Sequence, residues 1–156
     1  MTKTVHSRSG SGKHIVLEKF VPYRMSILTN RISGAIARDY EDRFGLRVPE
    51  WRCMAVLGRF GANTATGICQ RTAMDKVTVS HATTSSFKKN LISRKTDPED
   101  RRRTILNMTT IGRRIHDQIV PIALAHEQQL LEGLEPSEVA QLDHLLAKLE
   151  QHLDEA

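Results

Sequence analysis

Apolar residues recur at every fourth position in the first third of the chain, as Leu28, Ile32, Ile36, Tyr40 and Phe44. This spacing lines one face of a long helix, predicted from about Leu17 to Phe44 and stopped by Gly45. Pro49 and Glu50 suit the first turn of a second helix, whose buried stripe is Trp51, Met54, Leu57 and Phe60. Gly61-Ala62-Asn63 ends it. A short third helix, about Thr64 to Thr72, buries Ile68 and Cys69. Asp75 can cap a fourth helix, predicted from Lys76 to about Lys89, with Asn90 tolerating the left-handed conformation at its end.

The pattern then changes period. Leu91 to Lys95 and Arg103 to Met108 alternate apolar and polar residues around a turn containing Asp97-Pro98, which predicts a β-hairpin. Beyond Thr109, Ile111, Ile115, Ile119 and Ile122 mark a fifth helix running to about Glu132, with a bend at Pro121 and a stop at Gly133. Pro136 opens a last helix in which Val139, Leu142, Leu145, Leu146, Leu149 and Leu153 are spaced by three and four. These two stripes and the long first helix carry more apolar surface than one small domain covers, so a helical dimer interface built from both ends of the chain is expected.

Charge divides the same segments. Between Arg71 and His116 there are eleven Lys and Arg against four Asp and Glu, about +7, whereas the whole protein carries +5. Residues 117–156 hold one Lys and nine acids. The basic block is the footprint of a phosphate-binding surface, and the acidic end belongs away from nucleic acid.

Composition narrows the classes. With 156 residues, 39% of them hydrophobic and 4% aromatic, the chain fits one helical core. Its longest apolar run, Ile119 to Ala125, is far short of the ~18 residues that cross a bilayer. Residues 1–16 read as a flexible tail without the apolar stretch of a secretory signal. Ser9-Gly10-Ser11-Gly12-Lys13-His14 hints at a phosphate loop but has Ser7 where Gly is required and His14 where Ser or Thr is required. Cys53 and Cys69 have no CxxC partner and read as small buried hydrophobes in a reducing cytoplasm; a redox-sensing thiol is the alternative. His116, His126, His144 and His152 lack the one-turn spacing of a zinc site, no nucleophile motif such as G-x-S-x-G occurs, and no cofactor, metal or enzymatic activity is expected.

The order of three helices, a recognition helix, a basic wing and two further helices resembles the MarR family of winged helix-turn-helix regulators. The resemblance spans roughly residues 17 to 153. It is carried by Thr72-Ala73-Met74-Asp75-Lys76-Val77-Thr78-Val79-Ser80, by Asp97-Pro98-Glu99-Asp100-Arg101-Arg102-Arg103, and by the Met108-Thr109 and Gly112-Arg113 pairs, with Trp51-Arg52 and Leu134-Glu135-Pro136 in support. It implies a mainly α fold with a small β-hairpin wing. Residues 49–108 would form the DNA-binding domain, and residues 17–48 and 109–156 a helical dimerisation region.

The resemblance further implies a homodimer on a pseudo-palindromic operator, each recognition helix in a major groove and each wing in the adjacent minor groove. The family's Asp-x-Arg wing motif falls on Asp100 and Arg102, where a carboxylate can hold a guanidinium that enters a narrow, negative groove. Arg101 and Arg103 flank it. Within the recognition helix, relatives carry arginines and a buried leucine where this chain has His81-Ala82-Thr83-Thr84-Ser85-Ser86-Phe87. Base readout is therefore assigned to Thr78, Ser80, His81, Thr83 and Thr84, with Phe87 supplying the apolar packing that Ser86 cannot. Lys76, Lys88, Lys89 and Arg94 are expected on phosphates.

Arg24, Arg31 and Arg38 form a basic stripe that either pairs with acids of the C-terminal helices in the dimer or faces an anionic effector. The resemblance implies an aromatic carboxylate or an acyl-coenzyme A thioester bound where the dimer helices meet the DNA-binding lobe. Arg24, Met25, Asn30, Arg31 and Trp51 are the expected lining. The function expected is a cytoplasmic homodimeric repressor of aromatic-compound catabolism genes, released from its operator when the ligand changes the spacing of the recognition helices. A cysteine-based redox sensor and a non-specific architectural DNA binder are the alternatives. The family's peroxide-sensing branch has a cysteine near the start of the first helix, and Tyr23 to Asn30 contains none.

Overall fold

The computed structural model describes residues 13–156, so most of the phosphate-loop-like stretch and residues 1–12 of the expected tail lie outside the described residues. Six helices follow: α1 (Val21–Phe44), α2 (Val48–Phe60), α3 (Ala65–Thr72), α4 (Lys76–Lys88), α5 (Thr110–Leu131) and α6 (Pro136–Glu155). Between α4 and α5 lies an antiparallel hairpin of β1 (Ile92–Thr96) and β2 (Thr104–Met108), in register from Ile92 opposite Met108 to Thr96 opposite Thr104. The architecture is the mainly helical one with a small wing that the sequence predicts.

The predicted stops at Gly45 and Asn90 and the predicted Asp75 cap are found, and Thr64 and Thr109 act as caps that the pattern alone does not mark. Gly45 (φ 64°) and Asn90 (φ 60°) adopt the left-handed conformation just beyond α1 and α4. Thr64, Asp75 and Thr109 cap α3, α4 and α5 by accepting backbone N–H groups of Gly67, Thr78 and Gly112. The first helix is shorter than expected. Leu17–Lys19 forms a separate 3-10 turn and Phe20 is extended, because Pro22 lacks an N–H and its ring would collide with the carbonyl one turn earlier. Pro121, in contrast, lies inside α5.

Two cores organise the chain. In the winged lobe, Cys53, Val56 and Leu57 of α2 meet Ile68 of α3, Val79 and Ala82 of α4, Ile92 and Leu106. The second core joins this lobe to the long helices through Ala37, Tyr40, Leu46, Met54, Leu91 and Ile119. Asn63 forms a bridge to Leu106, with N–H···O contacts of 2.9 and 2.8 Å, and so sets a third chain segment against β2 that the sequence does not announce.

Several expected core positions are outside. Phe60 is 49% exposed, with the Arg71 guanidinium 3.5 Å over its ring. Leu28 and Ile111 are exposed, as are Leu142, Leu145, Leu146, Leu149 and Leu153, and α6 buries no residue. The apolar stripes of α6 and of the first half of α1 therefore have no cover among the described residues of one chain. Among the described residues, no helix is long and apolar enough to cross a membrane.

Gly112 fixes how closely α5 approaches the wing. A Cβ built there would lie 2.0 Å from the Leu91 carbonyl oxygen, a backbone atom that cannot swing aside. Gly112→Ala is expected to destabilise the protein by about 1–3 kcal/mol, whereas Gly34→Ala, where a Cβ meets nothing within 4 Å, should not. Urea unfolding of both variants at one protein concentration measures the difference.

Candidate nucleic-acid interface

Helix α4 turns Val79, Ala82, Thr83 and Ser86 into the core. The opposite face presents Lys76, Val77, Ser80, His81, Phe87 and Lys88 to solvent. This division follows from the 3.6-residue period: positions 79, 82, 83 and 86 share one stripe, and positions 77, 80, 81, 84 and 88 share the other.

Three of the five expected base readers have hydroxyls engaged within the chain. The Thr83 hydroxyl is buried and donates to the Val79 carbonyl at 2.8 Å. The Thr78 hydroxyl donates to Asp75 Oδ2 at 2.8 Å, beside the capping bond from the Thr78 N–H to Oδ1 at 2.8 Å. Thr84 Oγ1 accepts from the Arg94 guanidinium at 2.9 Å. Ser80 and His81 remain, both exposed and without a side-chain hydrogen bond among the described residues. Thr83 is turned away from any duplex, because it lies on the inward stripe with Val79 and Ala82.

Ser86 and Phe87 also differ from expectation. Phe87 does not fill the space left at Ser86: it is exposed, with the Arg94 guanidinium 4.4 Å from its ring centroid. One residue along a helix is a rotation of about 100°, which carries Phe87 out of the core stripe. Ser86 itself is fully buried and its hydroxyl has no hydrogen-bond partner among the described residues. Arg94 thereby clamps the end of α4 to β1 and is less free for phosphate than expected.

The wing tip is a tight turn. Asp97 Oδ1 accepts from the Glu99 N–H at 2.9 Å, Asp100 Oδ1 accepts from the Arg102 N–H at 3.0 Å, and the Arg103 carbonyl accepts from the Asp97 N–H at 2.9 Å. Asp100 thus holds the backbone of Arg102 and not its guanidinium, a correction to the expected pairing. Short carboxylates close such turns on neighbouring amides. Arg101, Arg102 and Arg103 are all exposed. Arg102 and Arg103 share a polar concavity with Thr64, Thr66 and Gln70 at the start of α3.

Sequence reasoning misses Glu50. Its side chain is 1% exposed, yet it carries a carboxylate that accepts from Lys89 Nζ at 2.8 Å, Ser85 Oγ at 3.2 Å and the Arg47 N–H at 3.3 Å. Lys89 Nζ also donates to the Gly45 carbonyl at 2.7 Å. Lys89 is therefore an internal tie between the ends of α1 and α4, not the phosphate contact expected of it. Nothing local in the sequence marks this role, since Glu50 and Lys89 lie 39 positions apart.

The expected effector residues are not brought together within one chain. Arg24, Met25 and Arg31 line an open concavity along α1 with Val21, Tyr23 and Leu28, and Asn30 is exposed outside that lining. Trp51 lines a separate small cleft with Ser33, Tyr40 and Arg52. Its ring packs between those of Tyr40, 6.2 Å away, and His116, 5.5 Å away. The Arg52 guanidinium donates to Ser33 Oγ at 3.1 Å, a pairing that no local pattern in the sequence signals. Burial, followed by the charge of Glu41, pushes the Tyr40 hydroxyl up to about 12. Among the described residues no group of three or more His, Cys, Asp or Glu is placed to hold a metal ion.

Two measurements test this geometry. Lys89→Met should cost about 2 kcal/mol by leaving the buried Glu50 carboxylate short of its charged donor. Lys88→Met, at an exposed neighbour, should stay within about 0.5 kcal/mol of the parent. The amide and hydroxyl bonds from Thr78 hold the Asp75 carboxyl below its usual 3.8. Its contribution to stability is thus complete above that value and is lost as pH falls through the lower folded value. Asp75→Asn should therefore show a shallower fall in thermal midpoint below pH 4 than the parent.

No protein-family model and no curated protein sequence matches the chain. Solved structures do. A MarR/EmrR family transcriptional regulator from Acinetobacter sp. ADP1 is 27% identical over 91% of this chain and 100% of its own, with a TM-score of 0.82. BpsR of Bordetella bronchiseptica, whose DNA binding is regulated by 6-hydroxynicotinic acid, is 24% identical over 89% of this chain and 98% of its own (TM-score 0.77). The PcaV transcriptional regulator of Streptomyces coelicolor, solved with its natural ligand, is 17% identical over 90% and 98% (TM-score 0.75). With a recognition helix, an arginine-tipped hairpin and two long helices in the same order, this chain has the MarR-family fold of winged helix-turn-helix transcriptional regulators.

Proposed function

We propose that the protein is a cytoplasmic, homodimeric repressor that holds a pseudo-palindromic operator and leaves it when a small anionic or aromatic ligand binds. The observation that carries this reading is the outward face of α4, with Lys76, Ser80, His81 and Lys88 exposed, together with the exposed arginines 101–103 of the wing. A helix of this width fits a major groove, and arginines at a hairpin tip suit the negative potential of a narrow minor groove. In this reading residues 49–108 bind DNA, and residues 17–48 and 109–156 form the dimer.

The uncovered leucines of α6 and the apolar first half of α1 support the dimer. Apolar helix faces left uncovered on a monomer mark an interface, and a two-fold pair would bury both stripes at once. The acids of residues 117–156 would then sit beside the Arg24, Arg31 and Arg38 stripe and away from the duplex. The effector is an aromatic acid or an acyl-coenzyme A thioester. The regulation of BpsR by 6-hydroxynicotinic acid supports the first class, and control of aromatic-compound catabolism follows from it. Pairing of two chains would bring Arg24, Met25 and Arg31 toward the cleft at Trp51.

Release by oxidation is disfavoured at Cys53, which is fully buried. Burial, with Cys69 and Glu50 adding to it, pushes its thiol up to about 12, leaving almost no thiolate at neutral pH.

Selection from a random duplex pool should return a two-fold site bound about 10³-fold or more above scrambled DNA. Binding without preference would instead indicate an architectural protein. Arg102→Ala should weaken operator binding and make the slope of log affinity against log salt shallower by about one. An unchanged slope would remove Arg102 from the groove. 6-Hydroxynicotinic acid and an aryl-coenzyme A thioester, added separately to the complex, distinguish the two effector classes by which one releases the duplex.

A further inference from the structure

The geometry points to Val77 as a specificity-determining residue that reads the 5-methyl group of a thymine in the major groove. This inference rests on the proposed DNA-binding role of α4 and adds a base preference to it.

A recognition helix reads bases with the residues of its first turns, and here those are Lys76, Val77, Thr78, Ser80 and His81. The Thr78 hydroxyl is engaged by Asp75, and one turn further Thr83 is buried while Thr84 is held by Arg94. Besides Lys76 and Lys88, whose long flexible cations suit phosphates, Ser80 and His81 keep the wholly uncommitted side-chain hydrogen-bonding groups on that face among the described residues. Two short polar groups distinguish few base pairs by hydrogen bonding alone. The largest remaining feature is apolar: Val77 is 65% exposed, the most exposed large hydrophobic side chain of the winged lobe.

Its position is suited to the task. Val77 shares the outward stripe with Ser80 and His81, at spacings of three and four. As a β-branched residue on a helix it is confined to essentially one rotamer, so its two methyl groups hold a fixed direction. Cations flank it, with Lys76 adjacent and Lys88 farther along the same helix, which draws the phosphates of a duplex to either side. The complement of an apolar group in a major groove is the thymine methyl, the only apolar group a base pair presents there. Phe87 is a poorer candidate, since the Arg94 guanidinium already covers its ring.

The test uses the full-length protein and the duplex returned by selection. Each thymine is replaced singly by deoxyuridine, which deletes the 5-methyl group and leaves pairing unchanged. At one symmetry-related thymine per half-site the replacement should weaken binding about three- to fivefold, the worth of one buried methyl group. Val77→Ala should bind the thymine duplex more weakly by a similar factor and should no longer distinguish thymine from deoxyuridine at that position. Because Val77 lies on the surface, the variant should keep the parent's thermal midpoint, which is measured alongside. A selected site without thymine, indifference to every replacement, or discrimination that persists in Val77→Ala would each overturn the assignment while leaving the regulator reading intact. Failure to recover any preferred duplex would overturn both.

Discussion

A single buried carboxylate sets the relation between the long helices and the recognition helix. Glu50 lies at the start of α2 with almost no contact with water, and an ionised group in that position survives only when its oxygens are met by donors. Those donors come from the end of α4, through Ser85 and Lys89, and from the residue before α2. Because Lys89 simultaneously reaches the carbonyl of Gly45, the last turn of α1, the first turn of α2 and the last turn of α4 meet around one ion pair. The winged lobe therefore does not hang on a flexible linker. Its orientation relative to α1 is specified by directional bonds, and the apolar contacts of Tyr40, Leu46, Met54 and Leu91 fill in around them.

The opposite end of the lobe is arranged by exclusion. Gly112 allows the start of α5 to press against the Leu91 backbone, and Thr109 bonds both to Leu91 and to the first turn of α5. Between these fixed points the hairpin is held by its own ladder and by the Arg94 contacts with Thr84 and Phe87. The consequence is a lobe held at several points and carrying an exposed, positively charged rim, joined to helices whose apolar stripes are unmatched among the described residues.

Much of this is legible in the sequence, for identifiable reasons. Helix limits follow from capping and stop residues that act locally: Asp75, Thr109, Gly45 and Asn90 each do in the structure what their chemistry favours. The hairpin follows from its change of period. What the sequence leaves open is long-range or concerns which way a side chain turns. Glu50 reads as an ordinary first-turn acid until Lys89 is brought beside it. Thr83 and Thr84 are adjacent hydroxyls with identical propensities, and only the packing of α4 sends one into the core and gives the other to Arg94. Phe60 falls on the apolar stripe of α2, yet it lies at the helix end, where the core has run out and Arg71 covers the ring instead. The family resemblance groups Trp51 with the α1 residues around a ligand, whereas the fold of one chain keeps them on separate surfaces.

The bridge from Asn63 to Leu106 bears on how this lobe can change over time. Both of its bonds are made by backbone groups, so the pairing itself constrains the length of the short connection between α2 and α3, while Gly61 at φ 80° and the Thr64 cap separately restrict which side chains it can carry. Inserting or deleting one residue there would shift the pairing by one position and, given the two-residue alternation of a strand, present the opposite side of the connection to β2. Drift at this connection should consequently preserve its length.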